Sequence, residues 1–225
     1  MDWDGFVSVL SFTATSSTFA LFLCGLQICQ RIRVRGHTDG TSVAPFLLTS
    51  ISCIVWAGYG EIRHDSTVIL VNTVGLFVQS LYLAYYYHKT RLRMRLNKLI
   101  GIEILAGVLT YYWMYSDVAA ETKENFLGII CMMLNIATIG APLLDVGQVI
   151  RNKSTESLPF MLCAGNMIVS IQWLIYGILT DDFYMKVPNA VACVIAAVQL
   201  SLFVIYPSNH RVVSQKSDDD RMHLI

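Results

Sequence analysis

Apolar residues gather along this chain in seven runs, roughly 6–29, 43–62, 67–88, 99–115, 126–150, 159–179 and 184–206, separated by short polar stretches. Each run is close to the ~20 residues that an α-helix needs to cross ~30 Å of hydrocarbon. The runs are continuous rather than alternating, which argues against the strands of a membrane barrel. The pattern therefore predicts an all-α membrane protein with seven transmembrane helices. The leading Met1-Asp-Trp-Asp-Gly5 carries no basic residue, so the first run reads as a retained span rather than a cleaved leader.

One pattern occurs twice. Trp56, Tyr59, Gly60, Asp65 and Asn72 return as Trp173, Tyr176, Gly177, Asp182 and Asn189, each displaced by 117 residues. Upstream of each Trp stands a related element, Thr41-Ser-Val-Ala-Pro45-Phe46 and then Ser154-Thr-Glu-Ser-Leu-Pro159-Phe160, with a slightly longer gap to the Trp in the second copy. This is an internal duplication of about a hundred residues, too long for a solenoid repeat. Three spans reverse the side of a chain, so two three-span copies lie parallel only if one further span separates them. The predicted order is 3 + 1 + 3: a first repeat over 6–88, a linker helix over 99–115, a second repeat over 126–206 and a tail over 207–225.

Composition agrees with a bilayer: 55% of residues are hydrophobic and 14% charged, where soluble domains carry about 25% charged residues. Net charge is zero, which leaves no electrostatic footprint for nucleic acid. Cys24, Cys29, Cys53, Cys131, Cys163 and Cys193 all fall inside apolar runs without metal-ligand spacing and read as free thiols. Neither metal nor cofactor is expected, and no constellation suggests an enzyme.

Charge sets the orientation. Counted along alternate sides, 13 Lys and Arg residues fall on one side and only Arg63, Lys123 and Lys186 on the other. The positive-inside rule then places the N-terminus outside and the C-terminus in the cytosol. The sequon Asn152-Lys-Ser154 lies on the cytosolic side in this reading and is expected to carry no glycan.

Helical rise places Trp56, Asn72, Trp173 and Asn189 about 8–9 Å below the outer edge of the hydrocarbon. An amide at such depth needs a partner or a cavity. Two matched Asn–Trp pairs in one layer point to a ligand site. Indole faces pack on the C–H faces of a sugar ring, and carboxamides both donate to and accept from hydroxyls. The layer has no titratable group, which favours a neutral polyhydroxylated solute over an ion or a phosphate.

Pro45 and Pro159 open the second and sixth runs, where a proline costs nothing. Pro142 and Pro188 lie inside runs and are expected to kink them, with Pro142 a candidate gate hinge. Glu103 is expected to snorkel towards Lys98. Asp145, near the cytosolic end of the fifth run, is expected to pair with a loop arginine, with proton coupling as the second reading. Two uses stay open for Tyr59, Tyr176, Asp65 and Asp182 at the outer mouth. They are interfacial anchors and helix caps, or they hydrogen-bond across the mouth and close it.

With these residues in view, the chain resembles the SWEET sugar transporters of the MtN3/saliva group. The likeness runs from Phe6 to about Tyr206. It rests on Ser42-Val-Ala-Pro45-Phe46, Trp56-x-x-Tyr59-Gly60, Val71-Asn72-Thr-Val-Gly75, Ala141-Pro142-Leu143, Lys153 to Phe160, Trp173-x-x-Tyr176-Gly177 and Val187-Pro188-Asn189. The resemblance implies two triple-helix bundles joined by a linker helix, and bidirectional, uncoupled movement of mono- or disaccharides. It also implies sugar binding by Trp56, Asn72, Trp173 and Asn189, and homo-oligomers. Three of the family's four gate prolines match Pro45, Pro142 and Pro159, while Leu26 holds the fourth place. Positions implied to set sugar size fall on Phe22, Ser52, Thr138 and Val169.

Other classes remain to be weighed: a proton-coupled lysosomal transporter of the related PQ-loop type, and a seven-helix receptor. The tail Asp220 to Ile225 reads as an acidic dileucine signal. It predicts a clathrin adaptor as partner and cycling between the plasma membrane and endosomal or Golgi membranes.

Overall fold

The computed structural model describes residues 3–138, 140–156 and 158–206; the dileucine tail lies outside them. The described residues form nine helices. These are α1 (Trp3–Phe22), α2 (Gly25–Arg35), α3 (Ala44–Arg63), α4 (Ser66–Lys89), α5 (Arg93–Met114), α6 (Ala120–Thr138), α7 (Gly140–Asn152), α8 (Phe160–Leu179) and α9 (Phe183–Ile205). The first apolar run is thus built from two helices, α1 and α2, and the fifth is covered by α6 and α7 on either side of residue 139. Six helical stretches are long and apolar enough to cross a membrane. The helix of the fourth run, α5, has the length, at 22 residues, but carries Arg93, Arg95, Lys98 and Glu103 in its first half. Large apolar side chains such as Phe12, Leu144, Met161 and Val204 point outward, as expected where lipid is the neighbour.

Each repeat has the same internal order. The third span, α4 or α9, lies between the other two and packs on both. The linker α5 leans on α3 of the first repeat. The duplicated pattern acquires a physical reading at the turn between the second and third spans. His64 and Asp181, at matching positions, both take positive φ, 54° and 48°, which ends the helix with a left-handed residue. Asp65 and Asp182 follow in extended conformation and cap the next helix. Asp65 Oδ1 accepts from Thr67 N (2.9 Å) and Val68 N (3.1 Å). Asp182 Oδ1 accepts from Met185 N (3.0 Å). The chain folds back so tightly that a Cβ on Gly60 would meet Ile69 N at 3.2 Å, and one on Gly177 would meet Lys186 N at 3.2 Å. Glycine in both copies is therefore a packing requirement.

The first run bends although Leu26 replaces the proline of the resembled family. Around Leu23 and Cys24 the backbone bonds shorten to a three-residue step, Cys24 N to Leu21 O and Leu26 N to Leu23 O, both 3.0 Å. Leu26 N no longer reaches the carbonyl of Phe22. That carbonyl accepts instead from the Tyr82 hydroxyl at 3.2 Å, whose ring occupies the space a side chain on Gly25 would need. The bend is thus held by a partner on α4 rather than by an imino acid. In the second repeat Pro142 stands third in α7. Gln199, at the position matching Tyr82, approaches the Pro142 carbonyl at 3.5 Å.

The core is divided unevenly along the helices. At the end bearing Asp65 and Asp182, the capped end, one cluster joins both repeats: Leu10, Ala14, Val55, Trp56, Tyr59, Val68 and Val71 with Leu127, Cys131, Trp173, Tyr176 and Met185. At the opposite, basic end there are two clusters. One holds Ile32, Phe46, Leu47, Tyr82, Leu83, Tyr86 and Leu96 of the first repeat and linker. The other holds Val149, Leu158, Cys163 and Leu202 of the second repeat.

Two expectations are corrected. Glu103 does not snorkel towards Lys98: it is buried, and its Oε2 has no hydrogen-bond partner. Among the described residues Asp145 makes no ion pair with an arginine. The ion pairs among the described residues are His37–Asp39, Arg63–Glu124 and Lys186–Asp181. The six cysteines are free.

Candidate functional site

Between the two repeats lies a cavity of about 370 Å³, within the usual range of small-molecule sites. Trp56, Asn72, Trp173 and Asn189 all line it, and so do Phe22, Ser52, Thr138 and Val169. The duplicated pattern thus brings residues 117 positions apart to face one space, because the repeats are parallel and each contributes the same layer.

Each asparagine is tethered to its own helix in the same way. Asn72 Nδ2 donates to the Val68 carbonyl at 2.8 Å, and Asn189 Nδ2 to the Met185 carbonyl at 2.9 Å. A carboxamide has two N–H donors and an oxygen acceptor, so this tether leaves one donor and the oxygen for a ligand. The tryptophans are steadied by the tyrosines one turn further on. Trp56–Tyr59 and Trp173–Tyr176 both meet edge to face, with ring centroids 5.5 Å apart. Trp173 is held further: its Nε1 donates to Thr18 Oγ1 at 2.9 Å, and the Thr18 hydroxyl donates to the Ala14 carbonyl at 2.7 Å.

Thr18, Thr49 and Asn135 line the cavity as well and were not singled out in the sequence. They lie on α1, α3 and α6, outside the duplicated pattern. The signal that could have exposed them is polarity on the inward face of otherwise apolar runs.

Above this layer the capped end is closed by polar contacts between repeats. The Tyr176 hydroxyl donates to Asp65 at 3.1 Å (Oδ1) and 3.0 Å (Oδ2), so Asp65 serves both of the uses left open: it caps α4 and it crosses the mouth. The matching pair is not closed. Tyr59 is 1% exposed and lies beside the Asp182 carboxylate, yet its hydroxyl has no hydrogen-bond partner. Burial pushes the Asp182 carboxyl above its ordinary value, opposed by the Met185 N–H and by Arg63. The neighbouring Asp181 is held below its ordinary value by its hydrogen bond to Lys186. Arg63 completes the closure, donating to Glu124 Oε1 at 2.8 Å and to the Thr180 carbonyl at 3.1 Å. Deeper in, the Ser17 hydroxyl donates to Gln172 Oε1 at 2.6 Å.

Toward the basic end, the long-range hydrogen bonds among the described residues stay inside one repeat. They include Tyr82 to Phe22, Tyr86 to the Thr41 carbonyl (2.8 Å) and Thr155 to the Tyr206 carbonyl (2.9 Å). Pro45 stands in the first turn of α3 and Pro159 immediately before α8, both at this end. Pro142, third in α7, lines a second cavity rather than the first.

The described lining of the central cavity includes no carboxylate, imidazole, ammonium or guanidinium. What the arrangement offers chemically is two indole faces and convergent amides and hydroxyls. That set suits a neutral polyhydroxylated molecule and performs no covalent chemistry.

Comparison with known proteins gives the same reading. The family model described as "Sugar efflux transporter for intercellular exchange" matches twice, over residues 8–93 and 125–211, one match per repeat. The chain is 35% identical over 202 residues to "Sugar transporter SWEET1" of Drosophila pseudoobscura pseudoobscura, covering 88% of this chain and 89% of that protein. It is 30% identical to the Homo sapiens protein of the same name, covering 92% and 95%. The Caenorhabditis elegans relative is 34% identical, and 66% of its length is covered. In three dimensions the chain superposes on a solved eukaryotic SWEET transporter with a TM-score of 0.81, covering 89% of this chain at 24% identity. A duplicated three-span pattern, a paired Trp–Asn cavity and a family match on each repeat together place this chain in the SWEET (MtN3/saliva) family of sugar transporters.

Proposed function

We propose that this protein moves a sugar across the membrane by alternating access, binding one ring in the cavity between Trp56 and Trp173. Asn72 and Asn189 read the ring hydroxyls with the donor and acceptor that their helix tethers leave free. The observation that carries this reading is the convergence of both Trp–Asn pairs on one cavity of sugar-ring size. Phe22, Ser52, Thr138 and Val169 set the shape of the remaining wall.

The closed capped end and the divided basic end define one state of the cycle. Under the positive-inside rule the basic end faces the cytosol, so this is the cytosol-facing state, with Asn152 unglycosylated. Tyr176, Asp65, Tyr59 and Asp182 form the outer gate. Pro45, Pro142 and Pro159 lie where the cytosolic gate must close. Transport is a uniport, a reading supported by the described lining of the cavity, which includes no proton-carrying group, and by Asp145, which lines neither cavity. Homo-oligomers and adaptor-dependent cycling through the dileucine tail belong to the same proposal. The tail is tested by the surface fraction of a Leu224→Ala, Ile225→Ala variant, which rises if the signal is read.

Labelled glucose uptake into proteoliposomes tests the transport reading. The expected result is saturable, bidirectional exchange that never exceeds the equilibrium level, with or without a pH gradient. Absence of flux for every sugar tried, or accumulation driven by a proton gradient, contradicts it.

A further inference from the structure

The linker helix leaves a groove on the outside of the first repeat, away from the sugar pathway. Both α4 and α5 pack on α3, yet they scarcely touch each other. Between them lies a space of about 490 Å³, floored by Ile54 of α3, with Ser80 and Ala84 of α4 on one wall and Glu103 and Gly107 of α5 on the other. Phe77, Leu81, Ile104 and Val108 around it are exposed, so the groove opens to the bilayer.

Two features set it apart from an ordinary gap between helices. Its walls are small where they could be large. Ser80 and Ala84 are neighbours one turn apart on α4, and a Cβ added to Gly107 would meet nothing nearer than Ile54 at 3.9 Å. The space is therefore a smooth trough rather than one ribbed by branched side chains. It also holds a carboxyl group. Glu103 lines the trough and is only 8% exposed, and its Oε2 has no hydrogen-bond partner. Ser50, beside it on α3, is fully buried, and its hydroxyl also lacks a partner. A carboxyl left unpaired among apolar groups is costly whether charged or neutral.

Depth narrows the chemistry of a partner. Glu103 lies five residues past Lys98, the last basic residue of α5, or about 7.5 Å further into the bilayer by helical rise. A charged headgroup stays in the wet interface at the level of Lys98, and the ester carbonyls of a phospholipid can only accept. A hydroxyl set directly on an apolar body reaches this depth. It both donates and accepts, so it satisfies the carboxyl in either protonation state. A smooth trough suits the face of flat fused rings.

We propose that this groove binds a sterol from the bilayer, its hydroxyl on Glu103 and its rings running from Ala84 past Gly107. Ser50 and Ile54 stand on the face of α3 opposite Ser52 and Trp56, which line the central cavity. The sterol thus bears on the first repeat from outside the pathway, and its binding does not depend on the transport reading.

The test places the full-length protein in phosphatidylcholine vesicles with a diazirine-bearing cholesterol analogue and maps the labelled peptides by mass spectrometry. Labelling should fall on 80–88 of α4 and 100–107 of α5, saturate, and be displaced by unlabelled cholesterol. Glu103→Met removes the hydrogen bond at similar size, and Ala84→Leu fills the trough from an exposed position. Each should cut saturable labelling about tenfold. Glu103→Gln keeps a donor and an acceptor and should stay within about twofold of the wild type. Labelling spread evenly over all spans, or left unchanged by Glu103→Met and Ala84→Leu, refutes the site. A phospholipid photoprobe that labels the same segments and is not displaced by cholesterol would assign the groove to ordinary boundary lipid and overturn the proposal.

Discussion

The two ends of this molecule are built from the same duplicated helices, yet one holds the repeats together and the other keeps them apart. At the capped end twelve buried residues from both repeats form one cluster, and Tyr176–Asp65, Arg63–Glu124 and Arg63–Thr180 cross between repeats. At the basic end each repeat has its own cluster and its own hydrogen bonds. Outer halves α1 and α6 pack on the opposite repeat, against α8 and α3, whereas α2 and α7 pack chiefly on α4 and α9 of their own. The bend at Leu23 and Cys24 lies level with the cavity, which Leu21 and Phe22 line. What this teaches is mechanical: the two ends of one span pack on different repeats, so one end can close while the other stays open.

The largest expected effect comes from the layer between the ends. Asn72→Ala and Asn189→Ala should each cut sugar flux at subsaturating sugar by about tenfold or more while leaving expression intact. A buried hydrogen bond contributes ~0.5–1.5 kcal/mol, with a further cost for a partner left unpaired. Equal losses in the two variants would support a ring held symmetrically by both repeats. Normal transport by both would place the site elsewhere.

Next is the mouth. Tyr176→Phe keeps the ring against Trp173 but removes the donor to Asp65, a hydrogen bond to an ionised group of about 1.5–3 kcal/mol. The capped end should open more often. Cys131 is fully buried in the joined cluster and serves as reporter. In a background lacking the other five cysteines, its maleimide labelling should accelerate about tenfold or more in the variant. Unchanged labelling would mean that the apolar cluster alone closes this end.

Arg63→Gln should have a smaller effect on the same reporter, about two- to fivefold, since a half-exposed ion pair contributes only ~0.2–1 kcal/mol. The smallest effect concerns the bend. Tyr82→Phe frees the Phe22 carbonyl and should lower thermal stability in detergent by a few degrees, for a loss of ~1 kcal/mol. An unchanged melting temperature would show that the bend needs no partner on α4.

Much of this was legible in the sequence because the duplication repeats function and turn geometry together. Trp56 and Asn72 mark the cavity, Gly60 the tight fold-back and Asp65 the cap, and the second copy confirms each choice of residue type. The bend at Leu23 was not legible, since it depends on a tyrosine 59 residues later rather than on a proline. Glu103 was misread because helical position says nothing about which face meets a neighbour, and α5 turns that face inward. Asp145 pairs with no described arginine, because closeness to one end of a span does not decide which loop side chain comes within reach. Which of the two mouth pairs is bonded was also hidden. Both repeats carry the same Tyr and Asp, and only the structure shows Tyr176 bonded while Tyr59 is not.

The central claim is that the two ends open in alternation around one cavity. Paired spin labels test it directly, at His64 with Asp181 on the exposed turns of the capped end, and at His37 with Asn152 at the basic end. With Tyr176→Phe added, the capped-end distance should lengthen and the basic-end distance shorten in the same fraction of molecules, and sugar should change both populations together. A capped end that opens while the basic-end distances stay unchanged would contradict the account.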